Sequence, residues 1–92
     1  MSEAKQFEQK TVTVGETEYT LQKLPIRKAM QMRQRYTQGN VIDDIKMSEE
    51  LLEHVIVNPK RKLDDFDDYS ELDAVITEAI TFQYGGKFTK NN

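Results

Sequence analysis

Two runs of strict alternation open the ordered part of this chain. Thr11-Val12-Thr13-Val14 and Tyr19-Thr20-Leu21-Gln22 flank the link Gly15-Glu16-Thr17-Glu18. A period of two marks a strand with one buried face, and a short glycine-containing link between two such runs reads as a hairpin. Pairing Val14 with Tyr19 sets Val12 opposite Leu21. These four side chains then make a dry face, and Thr11, Thr13, Thr20 and Gln22 a wet one. A lone hairpin is marginal in water, so helices must cover the dry side.

Three helical patterns follow. Leu24-Pro25 breaks the strand, and proline suits the first position of a helix. From Ile26 to Tyr36 the apolar residues fall at 26, 29, 30, 32 and 36, before a stop at Gly39-Asn40. The second helix begins near Asp43-Asp44, or at Ser48 if its first turn is irregular, and runs to Val57. Its face is Leu51, Leu52, Val55 and Ile56, with Ile45 upstream, and Asn58-Pro59 ends it. A connector from Lys60 to Asp68 is anchored by Leu63 and Phe66. Ser70 and Asp73 resemble an N-terminal capping box, and the third helix places Leu72, Val75, Ile76, Ala79 and Phe82 on one face before Gly85-Gly86. The expected fold is a single small α+β domain: a β-hairpin over 11–24 packed on about three α-helices near 26–37, 43–57 and 70–84. Residues 1–9 read as a flexible arm, 10–86 as the domain and 87–92 as a flexible tail.

Composition sharpens this. With 92 residues, 37% of them hydrophobic and 32% charged, the chain supports one domain with a thin core. It has no cysteine and one histidine, His54, which excludes disulfides, thiolate metal sites and multi-histidine sites. Self-association or shelter on a partner is the remaining support for so small a core. No stretch approaches the roughly 18 apolar residues of a membrane span, and the first residues lack the apolar run of a signal peptide. The net charge of −3 hides an asymmetry: residues 1–40 carry seven Lys/Arg against four Asp/Glu, and residues 41–84 four against twelve. The acidic part argues against nucleic-acid binding, in which phosphate contacts dominate affinity.

Candidate chemistry is sparse. Asp64-Asp65-Phe66-Asp67-Asp68-Tyr69-Ser70-Glu71 suggests a calcium loop, but counting from Asp65 puts Ser70 where the sharp turn needs glycine and Ile76 where the loop needs glutamate. The run is better read as negative charge gathered before the positive end of the third helix. His54 lies one position from an apolar face, with no nucleophile and acid spaced to make a triad. The glycines form no phosphate-binding pattern. The expectation is a binding protein, not an enzyme, with no cofactor and no metal. Arg27, Lys28, Arg33 and Arg35 make the first helix basic, as a solvated face or one paired with the acidic half across a helix or subunit contact. Met32, Met47, Ile80 and Tyr84 lie off the helical core stripes, and Phe88 lies beyond the Gly-Gly stop. Such shape-adapting residues suit a partner surface. On this reading Met32→Asp or Tyr84→Asp abolishes partner binding and leaves the fold intact.

Three stretches carry a resemblance: Tyr19-Thr-Leu-Gln-Lys-Leu-Pro-Ile-Arg27; Glu50-Leu-Leu-Glu-His-Val-Ile-Val-Asn-Pro-Lys60 with Leu63-Asp-Asp-Phe66; and a helix ending Phe82-Gln-Tyr-Gly85. Together, over about residues 10–85, they resemble the small tail assembly chaperones of long-tailed bacteriophages and prophages. The resemblance implies a non-enzymatic protein of the host bacterial cytoplasm that coats the long helical tape measure protein. Such a protein keeps its partner soluble, leaves as tail tube subunits polymerise, and is not retained in the mature virion. It also implies a frameshifted longer form of the same chain, and Lys90-Asn91 can be encoded by an A-rich slippery run. The rival expectations are a structural head-tail connector or minor tail protein, and an acidic nucleic-acid mimic presenting residues 43–73 as a continuous negative surface.

Overall fold

The computed structural model describes residues 8–85. Phe88, most of the N-terminal arm and the C-terminal tail lie outside them. Alternation becomes strand as expected: β1 (Gln9–Val14) and β2 (Thr17–Gln22) form an antiparallel hairpin. Its register differs from the expected one by two residues. Val14 faces Thr17 and Val12 faces Tyr19, so the loop is the pair Gly15-Glu16. Gly15, at φ +62°, supplies the positive φ that a two-residue hairpin loop demands at its first position. A slip of two keeps every side chain on its own face. Tyr19 and Leu21 are therefore fully buried and Val12 and Val14 half-buried, as the alternation requires.

A third strand completes the sheet. Helix α2 (Asp44–His54) stops three residues short of the expected end, and β5 (Ile56–Asn58) pairs antiparallel with β2 to give the order β1-β2-β5. The reason lies in Val55-Ile56-Val57, a β-branched run that fits a pleated sheet better than a helix. Val55, at the helix cap, already accepts a hydrogen bond from Gln22 N at 2.8 Å. Two residues of β2, Thr20 and Leu21, face Asn58 and Ile56, so Val57 is the extra residue of a bulge. The Lys60 ammonium donates to Glu53 O and satisfies a carbonyl at the end of α2.

Helix α1 (Ile26–Arg35) follows Pro25, which stands just outside it in extended conformation rather than at its first position. The Gly39-Asn40 stop is the tip of a second, short hairpin, β3 (Thr37–Gln38) with β4 (Val41–Ile42). Asp43 caps α2 by accepting from Lys46 N at 3.1 Å. Helix α3 (Tyr69–Tyr84) is capped by Asp68, not Ser70: Asp68 accepts from Ser70 N at 2.9 Å. Gly85, in left-handed conformation, ends it. The buried side chains come from every layer: Tyr19 and Leu21 from β2, Met32 and Tyr36 from α1 and its cap, and Leu51, Leu52 and Val55 from α2. Ile56 adds β5, and Val75, Ile76, Ala79 and Phe82 come from α3.

Candidate interaction surface

Among the described residues, those expected on a partner surface form no exposed patch. Met32 is fully buried in the core, so it has no place on the surface. The buried stripe of α1 is Ala29, Met32 and Tyr36, with spacings of three and four. At the helical period, Ile26 and Met30 lie roughly 90° and 130° from its centre. Met32, expected off the core stripe, lies inside it, and Ile26 and Met30 face solvent. Met47 and Ile80 are half-buried and pack against the core. Tyr84 is half-buried too; its hydroxyl donates to Ala29 O at 2.7 Å, and the Arg33 guanidinium sits 5.3 Å from its ring centroid. Burial first, then a hydrogen bond with Tyr36, holds the Tyr84 phenol above its ordinary range. Tyr84 thus joins α3 to α1, and Tyr84→Asp would strike the fold as well as any surface.

The exposed apolar side chains are others. Ile26 is 79% exposed, Met30 54%, Val41 67% and Ile42 48%. Ile26 and Met30, one turn apart on α1, line a shallow groove of about 530 Å³ with Arg27, Gln31 and Gln34. A second depression, of about 220 Å³, runs from Met30 past Arg33 and Gln34 to Thr37. Thr37 is the cross-strand partner of Ile42, and paired residues point to the same face of a ribbon. Ile42 therefore shares a ribbon face with Thr37, which borders the Met30 depression. Isolated exposed hydrophobes are ordinary on a small protein, whereas a contiguous row is a common mark of an interaction site. Only the spacing of 26 and 30 hinted at it in the sequence, and that spacing fitted the core equally well.

Two other apolar residues stand apart. Ile45, 66% exposed, lines a cavity of about 500 Å³ with Leu52, Leu63 and the charged residues Glu49, Glu53, Arg61, Lys62 and Asp64. Tyr69, 79% exposed, opens α3 beside the aspartate run. Within that run, Asp68 is used as a cap and Asp65 accepts from Lys62 N at 2.9 Å. Among the described residues, no group of three or more His, Cys, Asp or Glu side chains could hold a metal ion. No described helix is long and apolar enough to cross a membrane.

The charged clusters hold elements together. Glu50, 8% exposed, accepts two hydrogen bonds from Arg35, Nε at 3.0 Å and Nη2 at 2.8 Å, with Lys46 and His54 at 3.6 and 3.4 Å. Arg35 above all holds its carboxyl below the usual range, against the opposing effect of burial. A depressed folded pKa stabilises the protein fully above the unfolded value near 4.5, and the stabilisation is lost as pH falls through the lower folded value. Glu50→Gln should therefore be less stable at neutral pH and lose less stability on acidification below about pH 4.5. Urea titrations at a series of pH values check this; parallel acid limbs for the two proteins would contradict it. On the other side, the Tyr19 hydroxyl donates to Glu71 Oε2 at 2.6 Å and accepts from Arg61 Nη1 at 2.9 Å. Burial and then the Glu71 hydrogen bond push the Tyr19 phenol up to about 12. Through Tyr19 of β2, Arg61 fastens the connector to the sheet, and within the connector it stands 5.2 Å from the Phe66 ring centroid.

His54 makes its contact with Glu50 and lies 43% exposed at the end of α2. The exposed large apolar side chains of α1 and the β3–β4 ribbon are Ile26, Met30, Val41 and Ile42. No family model, curated protein or solved structure matches this chain.

Proposed function

We propose that this chain is a non-enzymatic tail assembly chaperone of a long-tailed bacteriophage or prophage, binding the tape measure protein and keeping it soluble in the host bacterial cytoplasm. The observation that carries the reading is the exposed apolar surface of Ile26 and Met30 on α1, with Ile42 and Val41 exposed on the β3–β4 ribbon, on a domain whose core is small. A protein whose task is to cover apolar surface elsewhere must keep apolar surface of its own in solvent. The resemblance over residues 10–85 supplies the identity of the partner. The tail tube protein, a frameshifted longer form and further copies of this chain are the other partners the reading implies.

The acidic-mimic alternative fits less well. Glu50 is neutralised inside an ion-pair cluster, and Lys46, Lys60, Arg61 and Lys62 interrupt residues 43–73. The structural-component alternative differs in where the protein ends up. Mass spectrometry of infected or induced cells should find this chain in the lysate and not in purified particles. A stoichiometric amount in the particles would replace the chaperone reading with that of a connector or minor tail protein.

A further inference from the structure

We infer that the docking site for the partner is the exposed face of α1 and the adjoining β3–β4 ribbon, and that its occupant is an amphipathic helix whose apolar stripe is bordered by carboxylates. The inference rests on the chaperone reading for the identity of the partner, and on this face alone for the place and chemistry.

Shape and charge both favour that occupant. The ten residues of α1 extend about 15 Å, enough to lie along two to three turns of a second helix. Ile26 and Met30 present aliphatic and thioether surface, which accommodates varied side chains along a long partner. α1 carries four cations and no acidic residue. Arg35 is bound to Glu50 and Lys28 falls on another side of the helix by its period, but Arg27 and Arg33 flank the Ile26–Met30 row. Among the described residues no ion pair involves Arg27 or Arg33; Arg27 lines the Ile26–Met30 groove, and Arg33 rests over the Tyr84 ring and lines the adjoining depression with Met30 and Gln34. A helix with Asp or Glu beside its apolar stripe would meet cations on both borders. A basic helix would meet like charge on both.

The face is also cheap to alter without harming the fold. Ile26 and Met30 are exposed, and neither belongs to the core cluster. Complexes of this chain with the tape measure protein of the same phage are the material for the test. A photo-reactive phenylalanine analogue is placed at Met30, and in separate proteins at Ile45 and at Tyr69. Affinity is measured for Met30→Asp, Met30→Gln, Arg27→Glu and Arg33→Glu, with thermal melts to show that each is folded.

The expected result is crosslinking from Met30 to partner segments with Asp or Glu beside an apolar stripe. Met30→Asp should weaken binding about tenfold, and Met30→Gln, which keeps a good helix former, should act in the same direction more weakly. Arg27→Glu and Arg33→Glu should weaken binding and flatten its dependence on salt. If the wild type binds but crosslinks come from Ile45 or Tyr69 and Met30→Asp binds normally, the site is wrong and the chaperone reading survives. Crosslinks from Met30 to a second copy of this chain would make the face a self-association surface and overturn the proposed occupant. No binding by the wild type would overturn the chaperone reading and the occupant together.

Discussion

Met32→Asp should abolish the folded state. Met32 is fully buried among the core side chains, and truncating such a residue to alanine costs about 2–5 kcal/mol from lost transfer energy and the cavity left behind. Aspartate adds to this an unpaired carboxylate without water, which must bind a proton or carry its charge into the core. A domain of 92 residues has a total stability of about 5–14 kcal/mol, so the single change consumes most or all of it. Met30→Asp, two residues along the same helix, is the matched control because Met30 is 54% exposed. Circular dichroism on heating should show no cooperative transition for Met32→Asp and a near-normal one for Met30→Asp. The opposite order would mean that α1 is rotated from the orientation described.

The second large effect is expected at Gln83. It is 8% exposed near the end of α3, and its amide reaches the backbone of Leu24 in the link from β2 to α1. Leu24 N donates to Gln83 Oε1 at 2.6 Å, and Gln83 Nε2 donates to Leu24 O at 3.1 Å. One side chain thus gives both backbone groups of Leu24 the partners a neighbouring strand would have given. Gln83→Leu keeps the volume and strands both groups, at about 1–3 kcal/mol each, so a loss of roughly 2–6 kcal/mol is expected. Urea denaturation should show a lower midpoint with an unchanged slope. A change below about 0.5 kcal/mol, the range of an ordinary surface substitution, would mean that water replaces the amide freely.

These two residues also show where sequence reading succeeded and where it stopped. The α+β architecture was legible because alternation and helical spacing are local signals. Tyr19 and Leu21 could be assigned to one face whatever the register, since a slip of two leaves faces unchanged. The register itself was not legible: both a two-residue and a four-residue loop fit Gly15-Glu16-Thr17-Glu18, and only the assembled sheet selects between them. β5 was missed because its β-branched residues continued the helical spacing of Leu51 and Leu52. A strand of three residues is too short to show its own period.

The rotation of α1 is the more consequential miss. Apolar residues at 26, 29, 30, 32 and 36 cover too wide an arc to be buried together, so packing had to choose. Tyr36 and Ala29 go inward with Met32, and Tyr84 closes over Ala29 O from α3. Ile26 and Met30 are left outside. Met30, two residues from Met32, lies about 160° from it around the helix axis, so the exposed apolar surface of α1 falls on the side away from Met32. Gln83 was likewise hidden, because a glutamine on an apolar face carries no signal until the backbone it serves is in place.

The central claim, that this domain covers the apolar surface of a tape measure protein, is tested most directly by co-expression. The tape measure protein is produced alone and with this chain, and its distribution between the soluble and sedimenting fractions is measured. The account predicts that it sediments when made alone, stays soluble with the wild-type chain, and co-purifies with it. If it remains in the pellet while this chain stays folded and soluble beside it, the account is contradicted.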